Sequence, residues 1–253
     1  MSALKFEQDK WLSEVLLLPC WRVSRGQDER VDADLVKSEI RHHSAGGRGF
    51  FFIKESTFNV QPTMQFVRSG FSVVDVNVTL DLAKTAKSAM PVTADIRISA
   101  AAPADFFDIE DLAGRCFLYS RFHLDPRMSS EQANAIKRSW AANACKGRAP
   151  VVYVARVQGR LAGFLAVLEV NSTHGRDAVI DLVGVDEGFR GRGIGRALSQ
   201  TFIRDFSDRA DRLRVGTQIS NIPALRLYEA LGFRTSSTSY VLHAHSCNGE
   251  ILQ

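Results

Sequence analysis

An apolar run that ends in a loop rich in glycine and arginine constrains the fold of this chain more than any other stretch. Residues Val179–Val185 predict a buried strand, and an amphipathic helical pattern begins after Gly193. Glycines permit backbone conformations and close approaches that a Cβ forbids. A helix that starts at Gly193 would direct its free N–H groups and the positive end of its dipole at the loop. The stretch therefore predicts an anion-binding strand–loop–helix at Arg190–Ala197.

Composition narrows the class of protein. Of the 253 residues, 45% are hydrophobic and 24% charged, which is ordinary for one large globular domain or two modest ones. Because no apolar run approaches the roughly 20 residues of a membrane helix and the first residues lack a signal-peptide pattern, we expect a cytoplasmic protein without membrane association. Acids are interspersed with the bases that give a net charge of +4, so a nucleic-acid partner is not expected.

The chain divides into two successive sets of elements at Leu82–Thr93, a segment of mostly small and polar residues that contains a proline. We expect an N-terminal domain at 1–88, a second domain at 94–245 and a tail at 246–253. The second set has the order β-α-α-β-β-β-α-β-α-β, which predicts an α/β (α+β) fold with a mixed sheet and helices on both faces. It includes a helix at Ser130–Lys146 that begins with a capping box.

The two halves share a pattern. The same spacing separates Asn59 from Gly70 and Asn221 from Gly232, and in each case the glycine is followed by phenylalanine and an apolar strand. A true structural repeat and a chance recurrence of common helix caps both fit this pattern. A repeat would place Phe66 at the position of Tyr228, and the first copy would lack the glycine loop.

The glycine loop departs from two familiar phosphate-binding templates. A P-loop requires Lys and then Ser or Thr after its last glycine, whereas Gly195 is followed by Arg196-Ala197. A dinucleotide fingerprint requires glycine where Arg196 stands. The spacing Arg190-x-x-Gly193-x-Gly195 instead matches the pyrophosphate signature of the GCN5-related N-acetyltransferase (GNAT) superfamily.

The chain resembles this superfamily over residues 96–245, including the closing segment Asn221–Phe233. The resemblance implies a GNAT fold, preceded here by a truncated GNAT-like domain, with acetyl-CoA as cosubstrate and no metal. It also implies that the strand before the loop separates from its neighbour and pairs with the pantetheine arm, while the loop N–H groups hold the pyrophosphate. The residues expected to contact acetyl-CoA are Val183, Gly184, Val185, Arg190, Gly191, Arg192, Gly193, Ile194, Gly195, Arg196, Ala197 and Asn221.

The resemblance also implies direct attack of an amine on the thioester. Tyr228 stands at the position of the superfamily's general acid, which protonates the departing thiolate. The oxyanion needs a fixed donor, most simply a backbone N–H of Val183–Val185. Because an ammonium ion has no lone pair, a carboxylate acting through water would take its proton, and Glu169 and Asp181 are the candidates.

A narrower resemblance concerns the acceptor. The segment Ser120–His123, the helix that contains Trp140 and the closing Thr238–Tyr240 are similar to those of acetyltransferases that act on dTDP-linked amino sugars for surface polysaccharide. A nucleotide sugar is therefore the expected acceptor, with the nucleotide bound by Arg121, Phe122 and His123 through stacking and charge. The same three residues also fit an ordinary surface loop.

Several alternatives remain at this level. The acceptor could be a protein or peptide amine or another small amine, and the chain could instead be a non-catalytic acyl-CoA sensor. The first domain could shape the acceptor pocket or form the surface of a homodimer. His243 and His245 share one face of a strand, but without a visible third ligand the prediction is that they bind no metal.

Overall fold

Two compact units make up the protein. The parts of the chain that the computed structural model describes are residues 4–26, 29–83, 95–172 and 175–252. The first unit comprises Met1–Asn77, Ser120–Gln132 and Ser237–Gln253, and the second comprises Val78–Tyr119 and Ala133–Ser236. The units differ from the predicted domains because two later segments belong to the first unit. The predicted linker Leu82–Thr93 lies outside the described residues from position 84 onward.

The first unit contains a sheet of order β1-β2-β3-β10, with β11 paired to β10. Only β2 and β3 are parallel among these pairs. The core of the unit lies against α2 and α3 and is rich in phenylalanine, including Phe51, Phe66 and Phe71. The elements are β1 (Lys5–Gln8), α1 (Lys10–Leu16), β2 (Cys20–Ser24), α2 (Ala33–His43), β3 (Arg48–Ser56), α3 (Val60–Arg68), the start of β4 (Ser72–Leu82), most of β10 (Arg234–Cys247) and β11 (Glu250–Leu252).

The second unit contains a mixed sheet of order β4-β9-β8-β7-β6-β5. Strands β8 and β9 are parallel, and β5, β6, β7 and β8 pair antiparallel in sequence. The elements are the end of β4, β5 (Ile96–Ala100), α4 (Phe106–Cys116), most of α5 (Ser130–Asn143), β6 (Val151–Val157), β7 (Arg160–Ser172), β8 (Gly175–Val185), α6 (Ile194–Phe206), β9 (Arg212–Gln218), α7 (Ile222–Ala230) and the first residues of β10.

Two apolar clusters cover the two faces of this second sheet. One joins the sheet to α6 and α7 through residues such as Leu198, Phe202 and Phe233. The other joins it to α4 and α5 through residues such as Ile109 and Phe164. Helix α6 enters its cluster along one stripe, with Ile194, Ala197, Leu198, Phe202 and Phe206 all buried. Helices therefore lie on both faces of a mixed sheet, which confirms the predicted fold class.

Local signals account for most element ends. The predicted capping box is present, since Ser129 N donates to Gln132 Oε1 at 2.9 Å and Gln132 N donates to Ser129 Oγ at 3.2 Å. Gln158 and Gly159 both have positive φ, which is the two-residue turn that matches the twist of the β6–β7 hairpin. Among the described helices, each is too short or too polar to cross a bilayer.

The structure differs from the sequence predictions of local structure at two places. Helix α5 ends at Asn143 rather than at Lys146, because the chain passes through a wider turn in which Gly147 has a φ of +106°. The supposed tail is ordered as strand, since β10 continues to Cys247 and β11 pairs with it through Ser246 and Ile251. Short edge strands carry too few alternating residues to be recognised by pattern.

Candidate active site

The loop between β8 and α6 has a backbone that glycine adopts most readily. Gly191 and Gly193 have φ of +75° and +81°, and Gly193 is the N-cap of α6. A Cβ at either position would meet nothing within 4 Å. The need for glycine there comes from the backbone conformation and not from crowding.

The start of α6 is arranged to receive an anion. Its first turn contains no acidic residue, and its first N–H groups have no acceptor within the helix. A Cβ at Gly195 would lie 3.3 Å from Leu227 Cδ2 of α7 and 3.8 Å from Val185 Cγ2 of β8. The start of α6 therefore lies close to both the end of β8 and the middle of α7.

Two arginine contacts fasten the loop to the end of α4. Arg115 Nη1 donates to Asp186 Oδ2 at 2.7 Å, and Arg190 Nη2 donates to the carbonyl oxygen of Cys116 at 2.8 Å. Burial alone would raise the pKa of Asp186, but hydrogen bonds from Arg115 and from the Gly188 N–H outweigh it and lower that pKa. Arg190 thus anchors the loop in addition to its expected role of providing positive charge for the pyrophosphate. Sequence reasoning missed Arg115 because its partner Asp186 is distant along the chain.

Strand β8 separates from β9 before it reaches the loop. The parallel pairing runs from Asp177 opposite Arg212 to Ile180 opposite Val215 and then stops, although both strands continue. Beyond that point Val183, Gly184 and Val185 pair with β7 alone. Their other edge is a row of backbone groups without a strand partner among the described residues, which an extended ligand can use as an added strand.

Tyr228 lies on α7 within the core cluster that contains α6. Its side chain is 2% exposed and its ring packs edge-on against Phe233 at 5.8 Å. Burial raises the pKa of its phenol well above the usual value. The phenol therefore stays protonated at neutral pH, which is the form a general acid requires. Asn221 caps the same helix by accepting from Ala224 N, and it donates to Thr217 Oγ1 at 3.2 Å.

The two candidate bases have different surroundings. Glu169 lies opposite Ala178 and pairs with Arg209 at 3.3 Å. It is four residues along β7 from the residue opposite Val183, a separation of about 13 Å in an extended strand. Asp181 is nearer the unpaired edge, but its Oδ2 already accepts two hydrogen bonds, from Trp140 and Arg148.

The cysteines of the second unit are not prepared for covalent catalysis. Burial raises the pKa of the Cys116 thiol to about 12 and that of Cys145 to about 11. Since the thiolate is the nucleophilic form, neither is poised to accept an acetyl group at neutral pH. This favours direct attack by an amine.

The three residues expected to bind the nucleotide lie in the first unit. The Arg121 guanidinium is sandwiched between the rings of Phe52 and Phe122, at 4.3 and 4.4 Å from their centroids. Phe122 is only 1% exposed, so its faces are occupied by protein. Burial lowers the pKa of Arg121 to about 10, and its buried Nη1 has no hydrogen-bond partner in the described part of the chain. His123 Nδ1 lies 2.6 Å from Ser120 Oγ.

The structure adds a third member to the pair His243 and His245. Asp125 Oδ2 lies 2.7 Å from His243 Nδ1 and 2.8 Å from His245 Nε2. Both are hydrogen-bond lengths and are shorter than the roughly 3.3 Å between two ligand atoms bound tetrahedrally to zinc at about 2.0 Å. The three ligand atoms of this cluster lie within 4.8 Å of one another, so Asp125 supplies the third potential metal ligand that the sequence pattern did not reveal, and the expectation that the histidines bind no metal stays a prediction.

We expect this cluster to make stability depend on pH. Burial lowers the pKa of His243 to about 4, whereas an unfolded histidine titrates near 6.5. Between these values the unfolded chain binds a proton that the folded protein does not, so stability should fall as the pH falls, by up to about 1.4 kcal/mol per pH unit. Denaturant unfolding at several pH values from 6.5 to 4.5 measures this slope. His243→Asn should flatten it and His42→Asn should not; equal slopes in all three proteins would contradict the assignment.

The first unit repeats the turn that follows α7. Phe71 N donates to Phe66 O, and Phe233 N donates to Tyr228 O, each at 3.0 Å. The two aromatic pairs also match, with centroids 5.5 and 5.8 Å apart and rings inclined at 74° and 65°. The predicted correspondence of Phe66 with Tyr228 therefore holds at the level of local geometry, and the first copy has no phenolic oxygen there.

The connection from β2 to α2 in the first unit differs from the glycine loop in its charge. Helix α2 is capped by Asp32, whose Oδ1 accepts from the N–H groups of Asp34 and Leu35. The N–H groups at the start of α2 that correspond to those predicted to bind an anion at α6 are thus satisfied by a carboxylate, and Asp34 adds a second negative charge. This helix start is unsuited to a pyrophosphate.

A buried ion pair lies beyond the last paired residues of β2 and β3. Arg25 donates to both oxygens of Glu55, at 2.8 and 2.9 Å, and both side chains are at most 6% exposed. Removing one partner should leave a buried charge, so Glu55→Gln is expected to lower the free energy of unfolding by about 3–5 kcal/mol. Denaturant titration measures it. In the control, Asp9→Asn breaks the pair with the mostly exposed Arg22 and should cost less than about 1 kcal/mol. Equal costs would contradict this account.

Comparison with known proteins agrees with this geometry. The model of the acetyltransferase (GNAT) family matches residues 107–233. The dTDP-fucosamine acetyltransferase of Escherichia coli O6:H1 is 30% identical over 69% of this chain and 72% of its own length. The spore coat polysaccharide biosynthesis protein SpsD of Bacillus subtilis is 34% identical over 56% of this chain, and the match spans 48% of SpsD.

Solved structures share the fold at low sequence identity. The GCN5-related N-acetyltransferase of Sphaerobacter thermophilus superimposes with a TM-score of 0.61 over 97% of this chain and 76% of its own, at 13% identity. A tandem GNAT protein of clavulanic acid biosynthesis gives a TM-score of 0.59 over 90% of this chain and 75% of its own, at 14% identity. Together with the family match over the strand, the loop and α7, these comparisons establish that the chain belongs to the GNAT acetyltransferase family.

Proposed function

We propose that this protein transfers an acetyl group from acetyl-CoA to the amine of a nucleotide-linked amino sugar, with dTDP as the nucleotide. The observation that carries the proposal is the edge of β8 at Val183–Val185, which has no strand partner among the described residues, next to the first N–H groups of α6, which have no acceptor within the helix. The edge suits the pantetheine arm, which carries amides, and the helix start suits the pyrophosphate. The names of two relatives, a fucosamine acetyltransferase and a polysaccharide biosynthesis protein, support a sugar acceptor.

In the proposed reaction the neutral amine attacks the thioester carbonyl carbon and forms a C–N bond. A backbone N–H on the β8 edge stabilises the oxyanion. When the carbonyl reforms, the C–S bond breaks and the CoA sulfur takes the proton of the Tyr228 phenol. The proton that the amine nitrogen loses returns through water to the phenolate, so the enzyme is unchanged. Raised cysteine pKa values support this direct route over an acetyl-cysteine intermediate.

For the acceptor, the assignment of the diphosphate to Arg121 of the first unit stays a prediction from the sequence. Arg121 Nη1 has no hydrogen-bond partner in the described part of the chain, but this atom is buried, as are the faces of Phe122, so either contact would require the segment to open. A guanidinium fits a diphosphate well because it donates two parallel hydrogen bonds. Stacking of the base on Phe122, as the sequence suggested, would require the ring to leave its buried position.

The test is a panel of acceptors assayed for CoA release. It contains dTDP- and UDP-linked amino sugars, the corresponding free amino sugars, and a peptide with a free N-terminus. We expect turnover with a dTDP-linked amino sugar and at least about tenfold lower kcat/KM with the free sugar, since the nucleotide supplies binding energy. Turnover of the peptide alone would replace the sugar with a protein acceptor. Acetyl-CoA binding without any turnover would favour a sensor.

A further inference from the structure

The alternation of side chains between the two faces of the sheet is interrupted in β8 at Asp181. Ile180 lies opposite Val167 of β7 and Leu182 lies opposite Ala166, so Asp181 is an extra residue without a partner. The side chains agree with this register. Ile180 joins the cluster of α6 and α7, whereas both Asp181 and Leu182 contact the side of the sheet covered by α4 and α5. Two consecutive side chains on one face identify a β-bulge.

The bulge coincides with the opening of the sheet. Ile180 is the last residue of β8 that pairs with β9, and the bulge follows it immediately. A bulge bends the strand that contains it and increases its local twist. The direction of the free edge at Val183–Val185 is therefore determined at Asp181.

The Asp181 side chain is held from the helical layer. Its Oδ2 accepts from Trp140 Nε1 at 2.8 Å and from Arg148 Nη1 at 2.5 Å, and the side chain is 9% exposed. Trp140 belongs to α5, and Arg148 follows the wider turn in which Gly147 has its positive φ. The donors thus come from α5 and from the end of the wider turn that follows it, on the opposite side of the sheet from α6.

We propose that Trp140 and Arg148 hold the bulge in its conformation through their hydrogen bonds to Asp181. Asp181 is then a positioning residue for acetyl transfer and not the base. The carboxylate is committed to two donors that hold it against α5, while its backbone sets the direction of the β8 N–H groups. The catalytic part of this inference rests on the proposed acetyl transfer. The structural part, that the two side chains hold β8, stands without it.

The experiment compares Asp181→Asn, Trp140→Phe and the double variant in the full-length chain. Asp205→Asn is the matched control, because Asp205 also accepts from an aromatic residue, Tyr153 at 2.8 Å, and from an arginine. Hydrogen–deuterium exchange of the peptide that covers residues 179–185 is measured first, without substrate. We expect exchange at least about threefold faster in both single variants and unchanged exchange in the control.

Steady-state kinetics then separate positioning from proton transfer. Each single variant should lower kcat by about 10- to 100-fold with KM for acetyl-CoA changed less than about threefold, since a misdirected donor affects the transition state most. The double variant should be no slower than the slower single variant, and the acidic limb of the pH profile should stay in place. Loss of that limb in Asp181→Asn alone would make Asp181 the base and overturn the proposal. Unchanged exchange in both single variants would show that these side chains do not hold β8. Because exchange is measured without turnover, this result is distinguishable from a failure of the proposed acetyl transfer.

Discussion

Replacing Tyr228 with Phe is expected to lower kcat by about 10²- to 10⁴-fold, the usual contribution of a general acid. The phenyl ring keeps the packing against Phe233 and only the phenolic oxygen is lost. KM for acetyl-CoA should change little, because the proposal assigns the pyrophosphate and pantetheine contacts to the loop and to β8. Since burial raises the pKa of this phenol, activity should show no loss from its ionisation between about pH 6 and 9.

The matched control for this experiment is Tyr153→Phe. Tyr153 is also a buried tyrosine of the second unit, and its phenol donates to Asp205 at 2.8 Å. Its loss should affect stability and leave kcat within about twofold, because a lost hydrogen bond costs only about 1 kcal/mol and lies outside the proposed site. Rates of Tyr228→Phe within a few-fold of the unmodified protein would remove the acid role, and so would an equal loss in both variants.

Replacing Gly193 with Ala is expected to weaken acetyl-CoA binding by about 5- to 30-fold, which corresponds to about 1–2 kcal/mol. Gly193 has a φ of +81°, and a Cβ in this conformation is too close to the following carbonyl oxygen. In the free variant the loop can relieve the strain by moving its N–H groups away from the anion site. Binding must then restore the strained conformation, and titration calorimetry with acetyl-CoA measures the cost.

Gly159→Ala provides a control with the same backbone chemistry. Gly159 lies in the β6–β7 turn with a φ of +80°, and a Cβ there would also meet nothing within 4 Å. The cost of Gly159→Ala should appear as lost folding stability with affinity unchanged, while only Gly193→Ala should lose affinity. If both lose affinity equally, the effect is one of general stability and the loop does not hold the pyrophosphate.

The differences between the two units explain why we expect one acetyl-CoA to bind per chain. The first unit shares one turn with the second, at the end of α3, where Phe71 N donates to Phe66 O as Phe233 N does to Tyr228 O. It places Asp32 at the helix start that corresponds to Gly193, and it has no phenol at Phe66. Calorimetry should therefore give a stoichiometry near one in the unmodified protein. Two equivalent sites would contradict the assignment.

Local structure was largely predictable because its causes are local. Helix α6 begins at Gly193 and buries its apolar stripe, and α7 is capped by Asn221, as the spacing indicated. The capping box at Ser129 and the turn at Gln158-Gly159 are equally local and are both present. Each of these features depends on residues within a few positions of one another.

The partners of buried charged groups were not predictable in this way. Asp181 looked like a free strand carboxylate, yet it accepts hydrogen bonds from Trp140 of α5 and from Arg148 just after α5, 41 and 33 positions earlier in the chain. Phe122 looked available for stacking, yet Arg121 and the surrounding core cover it. Asp125 joins His243 and His245 across more than a hundred positions.

The amino-acid sequence alone predicted the element order of residues 94–245, the glycine loop before α6 and the family, since glycine, capping and periodicity signals act over short distances. Only the tertiary structure decided where β8 parts from β9, which carboxylate is already engaged and which arginine anchors the loop to α4. The physical reason is that burial and ion pairing depend on residues brought together by folding. The sequence pattern does not specify those distances.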